Sequence, residues 1–373
     1  MKKKILFVTG TRADFGKMKS IIKEVRRKKQ FISFIVVTGM HMLPQFGSTY
    51  VEVEKNFKSN IIKFKNQKFG EDMENILTKT ISKFSKIVKR VSPDLIVFHG
   101  DRVETLACSI VGSMNHILTA HLEGGEISGS IDDSIRHAVT KLSHTHFVGN
   151  IKAQKRILRM GEIKKSTFVV GSADNDIMLR KKLPSLNYVK KHYNIDFKEY
   201  AILLWHPVTS ELPTLKSTTV ELIKLINKIK TNFVIIYSNN DPGTNIIIST
   251  YKKMLDKKRS KLLKSMRFEN FLSLLKNAKF ILGNSSSGIY EAPILGTPCF
   301  NIGSRQHKRI KTRAIKDLNI NQINNSSITN FLTNYKKIKY DNFGKGETSK
   351  KFVKIISNKK FWRISRQKFY EEI

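Results

Sequence analysis

KILFVTGTRADFGKMKSII, residues 4 to 22, reads as a strand, a glycine turn and a helix. The same alternation recurs downstream. FISFIVVTG (31–39), DLIVFHG (94–100), HILTAHLEGG (116–125) and THFVGN (145–150) are short β-branched or aromatic runs with amphipathic stretches between them. That is the pattern of parallel strands separated by helices. It pauses in a lysine-rich passage near residues 175 to 195 that contains Pro184. It then restarts with YAILLWHP (200–207), NFVIIYSNN (232–240), KFILGNSSSG (279–288) and TPCFNIG (297–303). A chain of 373 residues is too long for one ordinary core. The expected fold is therefore α/β, with two doubly wound Rossmann-like domains at 1–180 and 181–373. The closing segment KKFVKIISNKKFWRISRQKFYEEI (350–373) reads as a basic amphipathic helix or pair, expected to pack back on the first domain rather than to face a membrane.

Lys and Arg number 68 against 30 Asp and Glu, a formal charge of +38. Such a balance suits an anionic partner: nucleic acid, an anionic membrane, or a phosphate-bearing small molecule. The basic residues are spread along the chain without a recognised module or an aromatic-interleaved stripe, so no nucleic acid is expected. Cys108 and Cys299 form no CxxC pair, which fits a reducing compartment. The apolar run at the start is only Ile5 to Val8, and no later stretch approaches a span. The expectation is a cytoplasmic protein with no membrane insertion.

In open α/β sheets ligands sit outside the carboxyl ends of the strands, so the polar loops there are where chemistry is expected, in the cleft between the two domains. After the first strand, Gly10 permits a tight turn and Arg12 adds a cation beside a helix start, against the plainer reading of an ordinary turn with a surface arginine. GNSSSGIYEAP offers Ser286, Ser287 and Gly288 between a strand and a helix, where anions are favoured. Glu291 falls four residues after Ser287, on the same helix face. The plainer reading is a serine-rich cap. His206 ends another strand and could donate to a phosphate.

HLEGGEISGSIDDSIRH (121–137) gathers Glu123, Glu126, Asp132 and Asp133 around a glycine-rich turn. Asp101 and Glu123 follow adjacent strands, and Asp132 or Asp133 arrives with the next helix. Like charges held close should push at least one pKa upward, providing an acid and a base. Against this, either aspartate could merely cap the helix, and Asp101 could pair with Arg102. The histidines at 121, 137, 144 and 146 form no HExxH or Cys/His set, so neither a metal nor another cofactor is expected.

TGTRADFGKMKSI, TGMHM, HGDRVETLA, HLEGGEISGSIDDSIRHAVTKLSH, HPVT, YSNND, RFENF, GNSSSGIYEAP and GSRQ together resemble the hydrolysing UDP-N-acetylglucosamine 2-epimerases of bacterial sialic acid synthesis, in order from about residue 4 to 310. The resemblance implies a GT-B fold, a nucleotide held mainly by the second domain, and a homo-oligomer, dimer or tetramer. It implies conversion of UDP-GlcNAc to UDP and N-acetylmannosamine, with Asp101, Glu123 and Asp132 as the catalytic acids. Arg12, His206, Ser286, Ser287, Gly288 and Glu291 would serve phosphate, leaving group and ribose. Relatives act on GDP-linked N-acetylglucosamine or on 2,4-diacetamido sugar nucleotides. Members commonly carry a proline where this chain has Ser238, which predicts a looser loop. The rival readings are an acceptor-dependent GT-B glycosyltransferase and, on charge alone, a non-catalytic anion or nucleic-acid binder.

Overall fold

The structure, a computed structural model, describes residues 2–129, 131–179, 182–306, 308–309, 312–336 and 344–366. Two compact units divide the chain: Met1–Glu126, Asp132–Lys181 and Asn342–Ile373 form unit 1, and Ile127–Ile131 with Lys182–Asp341 form unit 2.

Unit 1 alternates strand and helix: β1 (Lys3–Thr9), α1 (Arg12–Arg26), β2 (Phe31–Val37), α2 (Tyr50–Asn56), β3 (Ile61–Lys63), α3 (Met73–Val91), β4 (Leu95–His99), α4 (Val103–Met114), β5 (Leu118–Leu122), α5 (Ile131–Leu142), β6 (Thr145–Val148), α6 (Ile151–Arg159), β7 (Thr167–Val169) and α7 (Ala173–Met178). The strands lie in the order β3-β2-β1-β4-β5-β6-β7, every pair parallel. Strand order reverses between β1 and β4, the place where such a sheet opens a crevice. Both faces are covered, so the strands are apolar throughout. Ile5 and Phe7 join Leu95 and Val97 on the face holding Phe15, Met18 and Ile22 of α1. Leu6 and Val8 join Ile96 and Phe98 on the face of α3 and α4. At the β2 end, Gly39 has φ +64°, and a Cβ there would lie 2.5 Å from the Gly10 carbonyl oxygen, so only glycine lets the two loops cross.

Unit 2 runs α8 (Leu186–Tyr193), β8 (Ala201–Leu204), α9 (Leu215–Lys228), β9 (Phe233–Ile236), α10 (Thr244–Met254), β10 (Ser260–Leu263), α11 (Phe268–Lys276), β11 (Ile281–Gly283), α12 (Glu291–Leu295), β12 (Cys299–Ile302), β13 (Ile315–Leu318) and α13 (Asn325–Asn334). Its order is β10-β9-β8-β11-β12-β13, again parallel, with the reversal between β8 and β11. Ala201, Leu203 and Phe300 pack with Leu222, Ile226 and Ile247 in its core.

The final helix, α14 (Thr348–Ile356), lies with unit 1. Phe352, Val353 and Ile356 enter the core beside Ile21 and Val25 of α1. The Asp176 carboxylate accepts from the Thr348 and Ser349 backbone N–H groups at 2.8 and 2.7 Å, which satisfies two donors at the helix start. Of the closing segment read as helix, Phe361–Arg363 is a short 3₁₀ turn, and residues 367–373 lie outside the described residues. Among the described residues no helix is long and apolar enough to cross a membrane.

Candidate functional site

In unit 1 the polar side chains converge where β1, β4 and β5 end. The two-residue strand period that turns Leu95 and Val97 toward α1 carries His99 to the same side. On α1, Asp14 and Lys17 are three residues apart and share a helix face. Glu123, the residue after β5, stands in the left-handed region at φ +61°, where its backbone N–H donates to the Phe147 carbonyl at 2.9 Å. A glutamate in that conformation is strained, and the strain aims its carboxylate at this cluster. Glu123 Oε2 lies 3.1 Å from His99 Nε2 and 3.5 Å from Lys17 Nζ, and Ser172 Oγ donates to Oε1. Lys17 Nζ is also 3.0 Å from Asp174 Oδ2, and His99 Nδ1 is 3.6 Å from Asp14 Oδ1.

These neighbours decide the charges. Burial alone would raise the Glu123 pKa, but Lys17 and His99, with the Ser172 hydroxyl, outweigh it and hold the carboxyl well below its ordinary value. Burial works against charge on His99 as well, yet the Glu123 and Asp14 carboxylates push its pKa up to about 9. Glu123 is therefore not the acid that crowding lifts, because Lys17 and the protonated His99 lie against its carboxylate. The acid whose pKa does rise is Asp174: burial lifts it, Lys17 opposes, and the Glu123 charge adds to the rise.

The other acids of residues 121–137 have separate tasks. Arg136, 2 % exposed, donates to Asp101, to Asp133 Oδ1 at 2.6 Å and to the Glu126 carbonyl at 2.9 Å. Burial disfavours its charge, and the two carboxylates outweigh that and keep it protonated. Asp101 thus pairs with Arg136, and Arg102 Nε lies 3.4 Å from Glu104 Oε2. Asp132 sits in the first turn of α5, where a negative charge is favoured. Glu126 Oε1 accepts from Asn150 Nδ2 at 2.9 Å. Arg12 is the first residue of α1, and its Nε lies 3.0 Å from Glu52 Oε2.

In unit 2, His206 and the serine loop meet through a residue that sequence reasoning missed. Asn284 Oδ1 accepts from the His206 backbone N–H at 2.7 Å, and Asn284 Nδ2 donates to the His206 carbonyl at 2.8 Å. Gly283 beside it has φ +130°, and a Cβ there would lie 2.0 Å from the Leu204 carbonyl oxygen. Ser286–Gly288 form a 3₁₀ turn capped by Ser285, whose Oγ accepts from the Ser287 N–H at 3.3 Å. Glu291 opens α12 beyond that turn. Ile289 and Tyr290 keep right-handed helical backbone between the two, and the Tyr290 N–H donates to the Ser286 carbonyl at 3.0 Å. Gly288 has a packing reason of its own, since a Cβ would lie 2.5 Å from Cys299 Sγ. Arg305 Nη1 donates to the Asn284 carbonyl at 3.2 Å, and Arg309 donates to the Tyr290 hydroxyl, which brings two further cations to the loop. The loop carrying Ser238 is not loose. Ser238 is 1 % exposed and donates to Thr244 Oγ1 at 3.3 Å, while the Asn239 N–H reaches His206 Nδ1 at 3.4 Å.

Asn284→Ala should leave the buried His206 N–H and C=O without partners, costing roughly 1–3 kcal/mol for each unmatched group. The expected result is a lower urea midpoint for unit 2 with the signal of unit 1 unchanged, read by a fluorophore placed in each unit.

The histidines passed over as metal ligands are tied down locally. His121 Nε2 bonds to the Gly100 carbonyl at 2.8 Å, and burial pushes its pKa down to about 3; His146 Nε2 bonds to Glu162 Oε2 at 2.9 Å. Among the described residues no group of three or more His, Cys, Asp or Glu could hold a metal ion.

Each unit is a doubly wound Rossmann-like sheet with its polar loops at the strand-order reversal, and the architecture is of the GT-B class. The chain belongs to the UDP-N-acetylglucosamine 2-epimerase family, whose model matches residues 23–357. It is 38% identical, over 100% of its length and 99% of the relative's, to a UDP-N-acetylglucosamine 2-epimerase of Neisseria meningitidis serogroup B. It is 35% identical, over 86% of each chain, to a GDP/UDP-N,N'-diacetylbacillosamine 2-epimerase (hydrolyzing) of Campylobacter jejuni. Its fold matches the UDP-GlcNAc 2-epimerase of Methanocaldococcus jannaschii, in complex with UDP-GlcNAc and UDP, with a TM-score of 0.80 at 20% identity, covering 95% of this chain and 99% of that one.

Proposed function

We propose that this enzyme is a hydrolysing 2-epimerase that converts UDP-N-acetylglucosamine to UDP and N-acetylmannosamine, on a route to sialic acid. The observation that carries the reading is Glu123: an ionised carboxylate fixed between Lys17 and His99 at a strand end, a base for the C2–H once departure of UDP makes C1 cation-like. The anomeric C1–O bond breaks with its electron pair leaving on UDP, and the C2 proton passes to a carboxylate, giving a glycal. Water then adds its hydroxyl to C1, and a proton returns to C2 from the opposite face. Glu123 and Asp132 are assigned the C2 proton and the hydration, and Asp101, held by Arg136, assists elimination. Arg12, His206, Ser286, Ser287, Gly288 and Glu291 are assigned to the nucleotide, with the serine loop and its arginines on the phosphates and Glu291 on the ribose diol. The hydrolysing outcome is supported by the EGGE and IDDSIRH motifs and by the hydrolysing relative from Campylobacter jejuni. That relative also favours a second reading, the same reaction on a 2,4-diacetamido sugar nucleotide. The working form is proposed to be a cytoplasmic homo-oligomer.

Phosphorus and proton NMR of the enzyme with UDP-GlcNAc, GDP-GlcNAc and UDP-2,4-diacetamido sugar in parallel tubes tests this. Free UDP appearing fastest from UDP-GlcNAc, with free N-acetylmannosamine, is the expected result. A UDP-linked epimer that accumulates without free UDP would make the enzyme non-hydrolysing, and release only in the presence of an added acceptor would make it a transferase.

A further inference from the structure

Asp174 has no part in the three-acid reading, yet at 3% side-chain exposure it is more buried than Glu123 at 21% or Asp14 at 14%. It lies in the first turn of α7, and its Oδ2 is 3.0 Å from the ammonium that also reaches Glu123 at 3.5 Å. One cation is therefore shared by two carboxylates. Resting on the proposed epimerase reading, we infer that Asp174 is a positioning residue: it anchors Lys17 and, by drawing part of that charge away from Glu123, sets how strongly Glu123 takes up the C2 proton.

The physical case is competitive. A lysine side chain is flexible and would not hold one geometry without a fixed partner. With Asp174 present its charge is divided. With Asp174 neutralised by substitution, more of the Lys17 charge falls on Glu123, the carboxylate becomes a weaker base, and proton removal slows. Burial first, and then the nearby Glu123 charge, raise the Asp174 pKa, while Lys17 opposes them. The charged and titratable groups that face the pair are Asp14 and Lys17 from α1 and His99 from β4, with Arg102 acting on Asp14. From α7 Asp176 is engaged instead by the N–H groups of α14.

The test is steady-state kinetics of the full chain with UDP-GlcNAc across the pH range, for wild type, Asp174→Asn, Lys17→Gln and the double variant. Asp174→Asn is expected to lower kcat by about tenfold, leave KM within about twofold, and move the acid limb of the kcat profile to lower pH. The double variant should match Lys17→Gln, because a residue that acts only through Lys17 adds nothing once Lys17 is gone. Wild-type kcat and acid limb in Asp174→Asn would overturn the inference. So would a loss of activity that follows a loss of thermal stability with the limb unmoved, which is the mark of a structural role. If Asp174→Asn fails to fold, Asp174→Glu, which keeps the charge but displaces it by one methylene, decides: a moved acid limb at wild-type thermal stability supports the inference, and an unmoved limb overturns it. A wild-type enzyme that turns over no nucleotide sugar would show, before any variant was compared, that the proposed function itself had failed, and the inference with it.

Discussion

Glu123→Gln is expected to lower kcat by roughly a hundredfold to ten-thousandfold, the usual contribution of a positioned acid or base, with KM little changed. The amide keeps the shape of the side chain and can still accept from Ser172, whose hydroxyl now donates to Oε1. What it loses is the charge that His99 and Lys17 surround. The variant should also differ from wild type in how stability depends on pH. The His99 pKa stands at about 9 against an ordinary 6.5, so its stabilising contribution is complete below pH 6.5 and is lost as pH rises through 9. Glu123 is displaced downward, so its contribution holds above the ordinary carboxylate range and is lost on acidification below it. Wild-type melting temperature should therefore fall between pH 7 and pH 10. In Glu123→Gln, where His99 has lost its main carboxylate neighbour, that part of the melting-temperature fall should be absent. A melting curve with the same alkaline slope in both proteins would remove Glu123 as the source of the His99 charge.

Arg136→Met should destabilise unit 1 markedly. Removing one partner of a buried ion pair costs about 3–5 kcal/mol, because the charges left behind remain partly out of water. Asp101 and Asp133 keep 28% and 20% side-chain exposure, so the lower end, about 3 kcal/mol, applies. For a domain of this size that is a melting shift of roughly 6–12 °C, confined to unit 1. Activity should fall further than stability alone explains, since the guanidinium also fixes the Asp101 carboxylate proposed to assist elimination. Calorimetry and kcat measured well below the melting temperature separate the two effects.

Strand legibility followed burial. The nine runs legible in the sequence are the nine interior strands, whereas the other four, β3, β7, β10 and β13, are the four sheet edges. An edge strand is covered less: β10 holds one buried residue in SKLL, at its end, and β13 one in IKDL. Composition alone does not separate such segments from polar loops. Missing β7 had a cost at the site. GSADND follows an edge strand with no strong apolar run before it, so nothing in the sequence marks Ser172 and Asp174 as residues at a strand end. His99 and Lys17 were within reach. The alternation of Val97 and His99, and the spacing of Asp14 from Lys17, place all of them on the α1 side, but the Asp101 carboxylate next door drew the attention. Asn284 was quoted within the serine loop, and its bonding to the His206 backbone depends on two parallel strands ending side by side, which no local pattern encodes.

The central claim is that the reaction breaks and remakes the C–H bond at C2 while releasing UDP. Proton NMR of UDP-GlcNAc with the wild-type enzyme in deuterated water reads both events in one tube. The account predicts free UDP together with N-acetylmannosamine carrying deuterium at C2. N-acetylmannosamine or any other released sugar that retains its original C2 hydrogen would contradict it.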